Sequence, residues 1–522
     1  MGEPLTRRTV LLGMTGAAVA GAAAAQTPPA PHDDMLSGGL FTFDALAALA
    51  ERRSGEPVKP PAARIPDALK ALDYDAWRDI RFRPDAALLT GRFRMQLFHP
   101  GFLYPRPVTV LVVREGRATP VAFEKEMFDY GRNKIADPLP REMGFAGLRL
   151  HFALNDPGIL DELAVFLGAS YFRFLSRDQR YGLSARGIAV GSGQPGEEFP
   201  AFTAFWVEDP PMGEERITLY ALLEGEALTG AYKFTIWPGA ATGVEVEARL
   251  YPRRPIERLG IAPLTSMFYV SENDRRIADE FRPEVHDSDG LLLHSGTGEW
   301  IWRPLRNPIA PRITSFAGKT PRGFGLMQRD RSFTRYEDLE ARYDLRPSYW
   351  VEPTGDWGEG RVELVELPGP DETGDNIVAF WTPASLLPQA KETRLAYRIR
   401  SIGDGADLHT GGRVRATFQA TARASGARGP GRPDIRRFLV DFVGGDLAYF
   451  LREPDRVEAV PSLSAGKILR TSLMPNVVTE GFRVALDVQL GEGETSDIRL
   501  YLRSGQRALT ETWTFPWSRE RQ

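Results

Sequence analysis

The chain has 522 residues, 42% of them hydrophobic and 26% charged, which is typical of a globular protein with two or more domains. The formal net charge is only −4 at pH 7 and no stretch forms a basic stripe, which argues against nucleic acid and polybasic membrane binding. The absence of cysteine excludes thiolate nucleophiles, cysteine-bound zinc and disulfide frameworks.

The first 25 residues have the features of a secretory signal. Arg7 and Arg8 precede an apolar run rich in alanine and glycine, which ends in three alanines. This arrangement predicts twin-arginine export with cleavage after residue 25. The run is too short and glycine-rich for a good membrane span, although an uncleaved anchor is the alternative. We therefore expect a periplasmic protein, with full secretion as the second option.

The elements after the signal change from one helix to many strands. Residues 26–38 are rich in proline and predict a tether. The stretch FTFDALAALAERRSG follows, with Leu46 and Leu49 near one face, and predicts an amphipathic helix. From about Trp77 onward the segments are short, rich in β-branched and aromatic residues, and separated by glycine and proline. This rhythm predicts antiparallel β-sandwiches.

The C-terminal part is predicted to be a separate domain. Residues 401–412 are small and polar, which indicates a linker between a sandwich at 39–400 and a second domain at 413–522. In the second domain the stretch GFRVALDVQL alternates apolar and polar residues without interruption. Several short strands of this kind predict an immunoglobulin-like sandwich.

Common motifs of nucleotide, serine-hydrolase and metal chemistry are missing or incomplete. The glycine-rich stretch at 191–196 matches GxGxxG, but no helix is predicted to follow it and hold a phosphate. The serines lie in no G-x-S-x-G elbow. The acids and histidines His286, Asp287, Asp289 and His294 match no familiar ligand spacing. We therefore predict neither a cofactor nor a metal.

Three stretches combine acids with aromatic residues in the way that sugar chemistry requires. Aromatic rings stack on the C–H faces of a sugar, and two carboxyl groups can act as acid and base on a glycosidic bond. The alternatives are strand-edge tryptophans and acids that only shape turns. The candidate residues are Asp287, Asp289, Trp300, Trp302, Tyr343, Asp344, Arg346, Tyr349, Trp350, Trp357, Asp371, Glu372 and Asp375.

Nine strings along the chain are long enough to carry a family resemblance. They are GASYFR, YGLSARG, GEEFP, TGAYKF, APLTSMF, RPEVHDSDGL, GEWIWRPL, RYDLRPS and ETGDNIVAFWTP. Through them the chain closely resembles the periplasmic glucan biosynthesis proteins of the G and D type, over essentially its whole length after the signal. The twin-arginine signal is more similar to the D branch.

The resemblance implies an all-β protein. Its parts are a large N-terminal β-sandwich of the mutarotase-like supersandwich type, with a glucan cleft, and a C-terminal immunoglobulin-like β-sandwich. The implied role is in making osmoregulated periplasmic glucans, which have a backbone of β-1,2-linked glucose. Relatives act on this backbone as inverting enzymes, and either hydrolyse it or transfer it to another sugar. The resemblance also implies Asp375 as general acid, Asp287 as base and Tyr343 as part of the proton path.

An inverting reaction places the two carboxyl groups about 6.5 to 9.5 Å apart, or farther if a relay carries the proton. We therefore expect an indirect base. For substrate binding we predict an aromatic and arginine set that could stack on and hydrogen-bond to sugar rings. This set is Trp300, Trp302, Arg346, Tyr349 and Trp357.

A second interpretation of the sequence is a non-catalytic glucan-binding scaffold that assists an inner-membrane glucan synthase. The matching residues at Asp287, Tyr343 and Asp375 favour the enzyme. The open edges of sandwich sheets also make a homodimer plausible.

Overall fold

The computed structural model describes residues 34–58, 65–135, 138–276, 279–422 and 431–519. The predicted signal, residues 1–25, lies outside these ranges, as do residues 26–33 of the predicted tether. Within the described residues the chain is nearly all β, in several sheets that do not close into barrels, so the predicted all-β class is confirmed. No helix within these ranges is long and apolar enough to span a bilayer.

Strands far outnumber helices in these ranges. The helices are α1 (Asp34–Ser37), α2 (Phe43–Ser54), α3 (Asp67–Lys70), α4 (Tyr74–Asp79), α5 (Phe333–Tyr336) and α6 (Leu447–Phe450). The first strands are β1 (Gly39–Leu40), β2 (Arg81–Phe82), β3 (Arg94–Phe98), β4 (Thr109–Arg114), β5 (Arg117–Pro120), β6 (Phe128–Asp129), β7 (Gly147–Phe152), β8 (Asp161–Leu167), β9 (Tyr171–Phe174), β10 (Ser184–Arg186), β11 (Ile188–Val190), β12 (Ala201–Glu208), β13 (Ile217–Glu224), β14 (Leu228–Trp237), β15 (Gly243–Pro252), β16 (Leu259–Ser266) and β17 (Phe268–Val270). The remaining strands are β18 (Val285–His286), β19 (Gly290–His294), β20 (Trp300–Pro304), β21 (Arg312–Lys319), β22 (Gly323–Met327), β23 (Ser348–Pro353), β24 (Glu359–Glu366), β25 (Ile377–Pro383), β26 (Thr393–Ile402), β27 (Arg413–Thr421), β28 (Ile435–Val443), β29 (Glu458–Leu463), β30 (Lys467–Asn476), β31 (Gly481–Gln489), β32 (Thr495–Ser504), β33 (Arg507–Ala508) and β34 (Thr512–Ser518).

The predicted amphipathic helix is present as α2. Thr42 caps it by accepting a hydrogen bond from the amide of Ala45 at 3.1 Å. Leu46 and Leu49 are fully buried, and the hydroxyl of Thr229 in β14 donates to the helix carbonyl of Ala50 at 2.6 Å. The helix therefore covers the outer face of a large sheet. The end of the predicted tether forms the single turn α1.

Two large sheets form the main sandwich. One runs in the order β1-β5-β4-β12-β13-β14-β15-β26-β23-β22-β19-β20-β34-β32-β29, and the other in the order β21-β24-β25-β16-β10-β9-β8-β7-β3. Their facing sides share one hydrophobic core. Phe234 of the first sheet packs on Phe166 and Phe172 of the second, with ring centroids 5.2 Å apart in both pairs. Aromatic contacts of this kind add to the stability that apolar burial supplies.

The C-terminal residues form a second sandwich that shares a sheet with the first. Its own four-stranded sheet, β27-β28-β31-β30, faces strands β29, β32 and β34, which extend the large sheet. The junction is the parallel pairing of β20 with β34, in which Trp302 lies opposite Trp513. Phe438 of β28 packs on Trp513 and Phe515 with centroids 5.8 and 5.4 Å away. The second sandwich is therefore joined to the first through a continuous sheet.

The alternating stretch GFRVALDVQL forms β31 and the residue after it, and Phe482, Val484, Leu486, Val488 and Leu490 are buried as the pattern indicates. The predicted linker at 401–412 begins inside β26, which ends at Ile402. The domain boundary itself stays a prediction.

Candidate functional site

The candidate site lies at one end of the second sheet, where β16 ends beside the start of β25. The carbonyl of Met267, just after β16, accepts a hydrogen bond from the amide of Asp287 at 2.8 Å. The preceding carbonyl, of Ser266, accepts from the amide of Asn376 at 3.1 Å. Asp287 and Asn376, which follows Asp375, are thus bonded to two neighbouring peptide groups although they are far apart in the sequence.

Asn376 fixes the turn that carries Asp375. Its side-chain oxygen accepts from the amide of Phe268 at 2.8 Å. Its side-chain nitrogen donates to the carbonyls of Phe268 and Leu367 at 2.9 and 3.0 Å. A buried amide with three such bonds is costly to displace. No role was predicted for Asn376 from the sequence, although its place in the string ETGDNIVAFW was a signal.

Asp287 is a buried carboxylate held by an arginine. The side chain of Arg346 donates to its Oδ1 atom, and Asp287 itself is only 5% exposed. Burial raises the pKa of Asp287, the charge of Arg346 lowers it, and the charge of Asp375 raises it, with a net upward shift. The two aspartates are therefore close enough to influence one another. Arg346, predicted to bind substrate, has its guanidinium engaged with Asp287.

A glycine allows Arg346 to lie in this position. A Cβ atom on Gly182 would come within 2.9 Å of the Cβ and Cδ atoms of Arg346. Gly182 belongs to the string YGLSARG and Arg346 to the string RYDLRPS, so the two strings are in contact in the fold. The close approach fixes the direction from which Arg346 reaches Asp287.

Tyr343 is buried in a short 3-10 turn, Tyr343–Leu345, beside the same arginine. Its hydroxyl donates to Oε2 of Glu372 at 3.0 Å, and the guanidinium of Arg346 lies 4.0 Å from the ring centroid. Burial raises the pKa of Tyr343, Arg346 opposes this, and the charges of Glu372 and Asp287 add to it. The hydroxyl therefore stays neutral at ordinary pH and can pass a proton along hydrogen bonds.

A second arginine, Arg282, joins the loops around the site. It donates to Glu280 at 2.9 Å and to Asp338 at 2.8 Å, and it forms an ion pair with Glu372 at 2.7 Å. Arg282 was not among the candidates predicted from the sequence, although it lies in the string RPEVHDSDGL. Phe281 beside it is 83% exposed, which leaves an aromatic ring open to solvent near the site.

Two of the predicted sugar-binding residues lie in the interior instead. Tyr349 is fully buried, stacks on Phe174 at 4.5 Å, and exchanges hydrogen bonds of 2.7 Å with the backbone amide and carbonyl of Phe174. Trp302 is buried in a core formed by the large sheet together with the C-terminal sandwich. The guanidinium of Arg329 lies 3.6 Å from its ring centroid. Both side chains are packing residues in this structure.

The other two tryptophans are partly exposed but lie elsewhere. Trp300 stacks on His294 and His409, with ring centroids 4.0 and 4.7 Å away. Trp357 packs near Trp381 and precedes β24. The first residues of β24 pair with the end of β25, whereas Asp375 lies before the start of β25. The structure therefore does not bring these indoles to Asp287 and Asp375.

Asp289 forms part of a turn. Its Oδ2 atom accepts from the amides of Arg329 and Asp330 at 2.8 and 3.1 Å. Burial raises the pKa of Asp289 to about 6, against the lowering effect of His286 and Arg329. These hydrogen bonds hold the backbone at Arg329 and Asp330, so Asp289 has a structural role close to Asp287.

The sequence model of a family described as "Periplasmic glucan biosynthesis protein, MdoG" matches residues 41–517. The chain is 44% identical to glucans biosynthesis protein G of Ralstonia nicotianae, over 91% of this chain and 95% of the relative. It is 41% identical to a probable glucans biosynthesis protein D of Shewanella oneidensis, over 99% and 94% of the two chains. It is 42% identical to glucans biosynthesis protein D of Stenotrophomonas maltophilia, over 92% and 90%. The chain therefore belongs to the periplasmic glucan biosynthesis protein family.

Proposed function

We propose that this protein acts in the periplasm on the β-1,2-linked backbone of periplasmic glucans, as an inverting glycoside hydrolase or transglycosylase. Membership of the glucan biosynthesis family supports the general role. The observation that carries the proposed reaction is the attachment of Asp287 and Asn376, next to Asp375, to the neighbouring carbonyls of Met267 and Ser266. Two carboxyl groups with interacting charges are what acid–base cleavage of a glycosidic bond requires.

In the proposed reaction the nucleophile is water or a sugar hydroxyl. It attacks the anomeric carbon from the side opposite the leaving oxygen, and the bond to that oxygen breaks. Asp375 gives its proton to the leaving oxygen. The proton of the nucleophile passes through the hydroxyl of Tyr343 to Asp287, and exchange with solvent resets both carboxyl groups.

The surroundings of Asp287 support its role as an indirect base. It is buried, which leaves little room for a direct water contact, and the bonded Arg346 favours its ionised form. The hydroxyl of Tyr343 donates to Glu372, and the negative charge of Asp287 also raises the pKa of Tyr343. A hydroxyl relay of this kind allows the carboxyl groups to be farther apart than about 9.5 Å.

A non-catalytic scaffold that assists an inner-membrane glucan synthase is the second candidate. It is favoured by apolar side chains that the C-terminal sandwich exposes, of which Val478 and Tyr449 are 89% and 79% exposed. Exposed apolar groups of this kind suit protein contacts. Strand β30 also ends its sheet, which leaves an edge for a homodimer.

Incubation of the purified protein with linear β-1,2-glucan tests the proposal, with the products identified by mass and anomeric NMR. Shortened chains indicate hydrolysis, and cyclic products or new linkages indicate transfer. Unchanged glucan that is nevertheless bound supports the scaffold.

Replacing Asp375 by asparagine tests the assignment of the acid. Asp375→Asn should abolish turnover, because an amide cannot give a proton to the leaving oxygen, and should leave glucan binding intact. Asp371→Asn is the matched control, since Asp371 is exposed in the same turn and its bonds to Thr373 can be made by an asparagine. Retained turnover in Asp375→Asn contradicts the assignment.

A further inference from the structure

Arg282 connects three loops that carry or support the catalytic residues. Its guanidinium contacts Glu280 of its own loop, Asp338 of a second loop, and Glu372 of a third. The side chain of Arg282 is 13% exposed, so these contacts are partly shielded from water. Ion pairs in such a position are stronger than those on an open surface.

One line of contacts runs from Arg282 to the base. Asp338 accepts from Arg282 and also from the amide of Ala341 at 2.7 Å, which shapes the second loop. The carbonyl of Ala341 accepts from Nε and Nη2 of Arg346 at 3.3 and 3.4 Å. Arg346 in turn donates to Asp287. The position of the second loop thus determines where Arg346 holds the base.

Another line of contacts runs from Arg282 to the relay and the acid. Oε2 of Glu372 receives both the ion pair from Arg282 and the hydroxyl of Tyr343. Glu372 belongs to the turn that carries Asp375. One carboxylate oxygen therefore ties Arg282 to the proton relay and to the loop of the acid.

The charges make Arg282 necessary for this arrangement. If the guanidinium of Arg282 were removed, the carboxylates of Glu280, Asp338 and Glu372 would lie close together without a cation between them. The hydrogen bond from Arg282 lowers the pKa of Glu280, and bonds from Ala341 and Arg282 lower that of Asp338 against the effect of burial. Arg282 thus favours the ionised forms of Glu280 and Asp338, and without it the repulsion between neighbouring carboxylates would separate the loops.

We propose that Arg282 is a positioning residue for the reaction, which holds the loops of Asp287, Tyr343 and Asp375 in one arrangement through ion pairs to Asp338 and Glu372. This inference rests on the proposed function for its catalytic consequence. Arg282 acts through other residues and takes no proton itself, because a guanidinium remains charged at the pH of the reaction.

Arg282→Gln and Arg282→Lys test the proposal on linear β-1,2-glucan. In Arg282→Gln we expect kcat to fall by about 100-fold, as small displacements of catalytic groups do, while KM changes by less than about threefold. Arg282→Lys should restore part of kcat, because a lysine keeps the charge but cannot reach both carboxylates in the same fork geometry. Arg503→Gln, which removes an exposed pair with Glu458 on the C-terminal sandwich, is the matched control.

Amide hydrogen exchange separates this proposal from the proposed function. Arg282→Gln should increase exchange in residues 338–346 and 371–376, with the strands of the second sheet unchanged. Unchanged exchange in both loops, or a rise spread through the whole sheet, overturns the positioning role. If the loops loosen but the parent protein turns over no glucan, the arginine contacts stand and the proposed enzymatic function fails. A rise in KM with kcat preserved also contradicts the proposal.

Discussion

At the scale of single residues, Arg346 sets the charge of Asp287. Burial alone would favour the protonated form of Asp287, and the nearby charge of Asp375 acts in the same direction. The guanidinium of Arg346 opposes both effects through an ion pair and a direct hydrogen bond. The pKa of Asp287 is still raised, so in its proposed role as base it should lose activity at a higher pH than an ordinary aspartate as the pH falls.

We predict that Arg346→Gln moves the acid limb of kcat/KM to higher pH by about one unit or more, because the lowering effect of an adjacent cation is lost. The sign follows from the proposed role of Asp287, which must be deprotonated to act as a base. A pH profile of glucan turnover measures the shift. Arg342→Gln is the control, since Arg342 pairs with Asp344 on the same loop. A limb that stays in place or moves to lower pH contradicts the prediction.

At the scale of elements, β19 and β20 pack closely because of a glycine. A Cβ atom on Gly290 would come within 2.1 Å of Cη2 of Trp302 on the neighbouring strand. The guanidinium of Arg329 also lies over the indole, 3.6 Å from its ring centroid. The ring is only 4% exposed, so an added methyl group would have to displace packed atoms.

We predict that Gly290→Ala lowers the free energy of unfolding by about 1 to 3 kcal/mol, as overpacking of a dense core does. Urea denaturation measures the change. Gly318→Ala is the control, because Gly318 lies in strand β21 and a Cβ atom there would meet nothing within 4 Å. The control should be neutral or slightly stabilising. Equal losses in both variants would contradict the steric explanation.

At the scale of the whole molecule, a buried ion pair joins the two sandwiches. Arg329 follows β22 of the large sheet and forms two bonds to Glu511, at 2.6 and 3.0 Å. Glu511 precedes β34 and also accepts from the amide of Val414 in β27 at 2.8 Å. Burial opposes the ionisation of Glu511, but Arg329 and His409 lower its pKa to about 2.

We predict that Glu511→Gln lowers the free energy of unfolding by about 3 to 5 kcal/mol at neutral pH, because Arg329 is left buried without its counter-charge. The pKa of Glu511 is depressed, so its contribution is complete above the ordinary value of 4.5 and is lost as pH falls toward about 2. The difference between parent and variant should therefore narrow over this range. Glu458→Gln removes an exposed pair and should cost about 1 kcal/mol or less.

Chemical denaturation at several pH values measures these differences. A difference that widens as the pH falls would contradict the assigned ionisation of Glu511. Since β20 pairs with β34, we also expect the two sandwiches of the parent to unfold in one transition.

Local patterns and strings in the sequence were sufficient to predict the type of the main secondary-structure elements and the family of this protein. Alternation predicted the β-sandwiches, as β31 shows, and helical periodicity predicted α2. The strings indicated the family, and they include Asp287 and Asn376, which the fold bonds to neighbouring peptide groups. These features depend on residue types at short spacing, which a single chain records directly.

Only the tertiary structure decided which side chains meet. A tryptophan or tyrosine at period two fits a cleft and a core equally well, and the long-range packing placed Tyr349 and Trp302 inside. The same packing turned Arg346 toward Asp287 and brought Arg282 to Glu372. It also joined the C-terminal strands to the large sheet through β34. These contacts depend on strand pairing between distant segments, and the local pattern of a sequence does not specify that pairing.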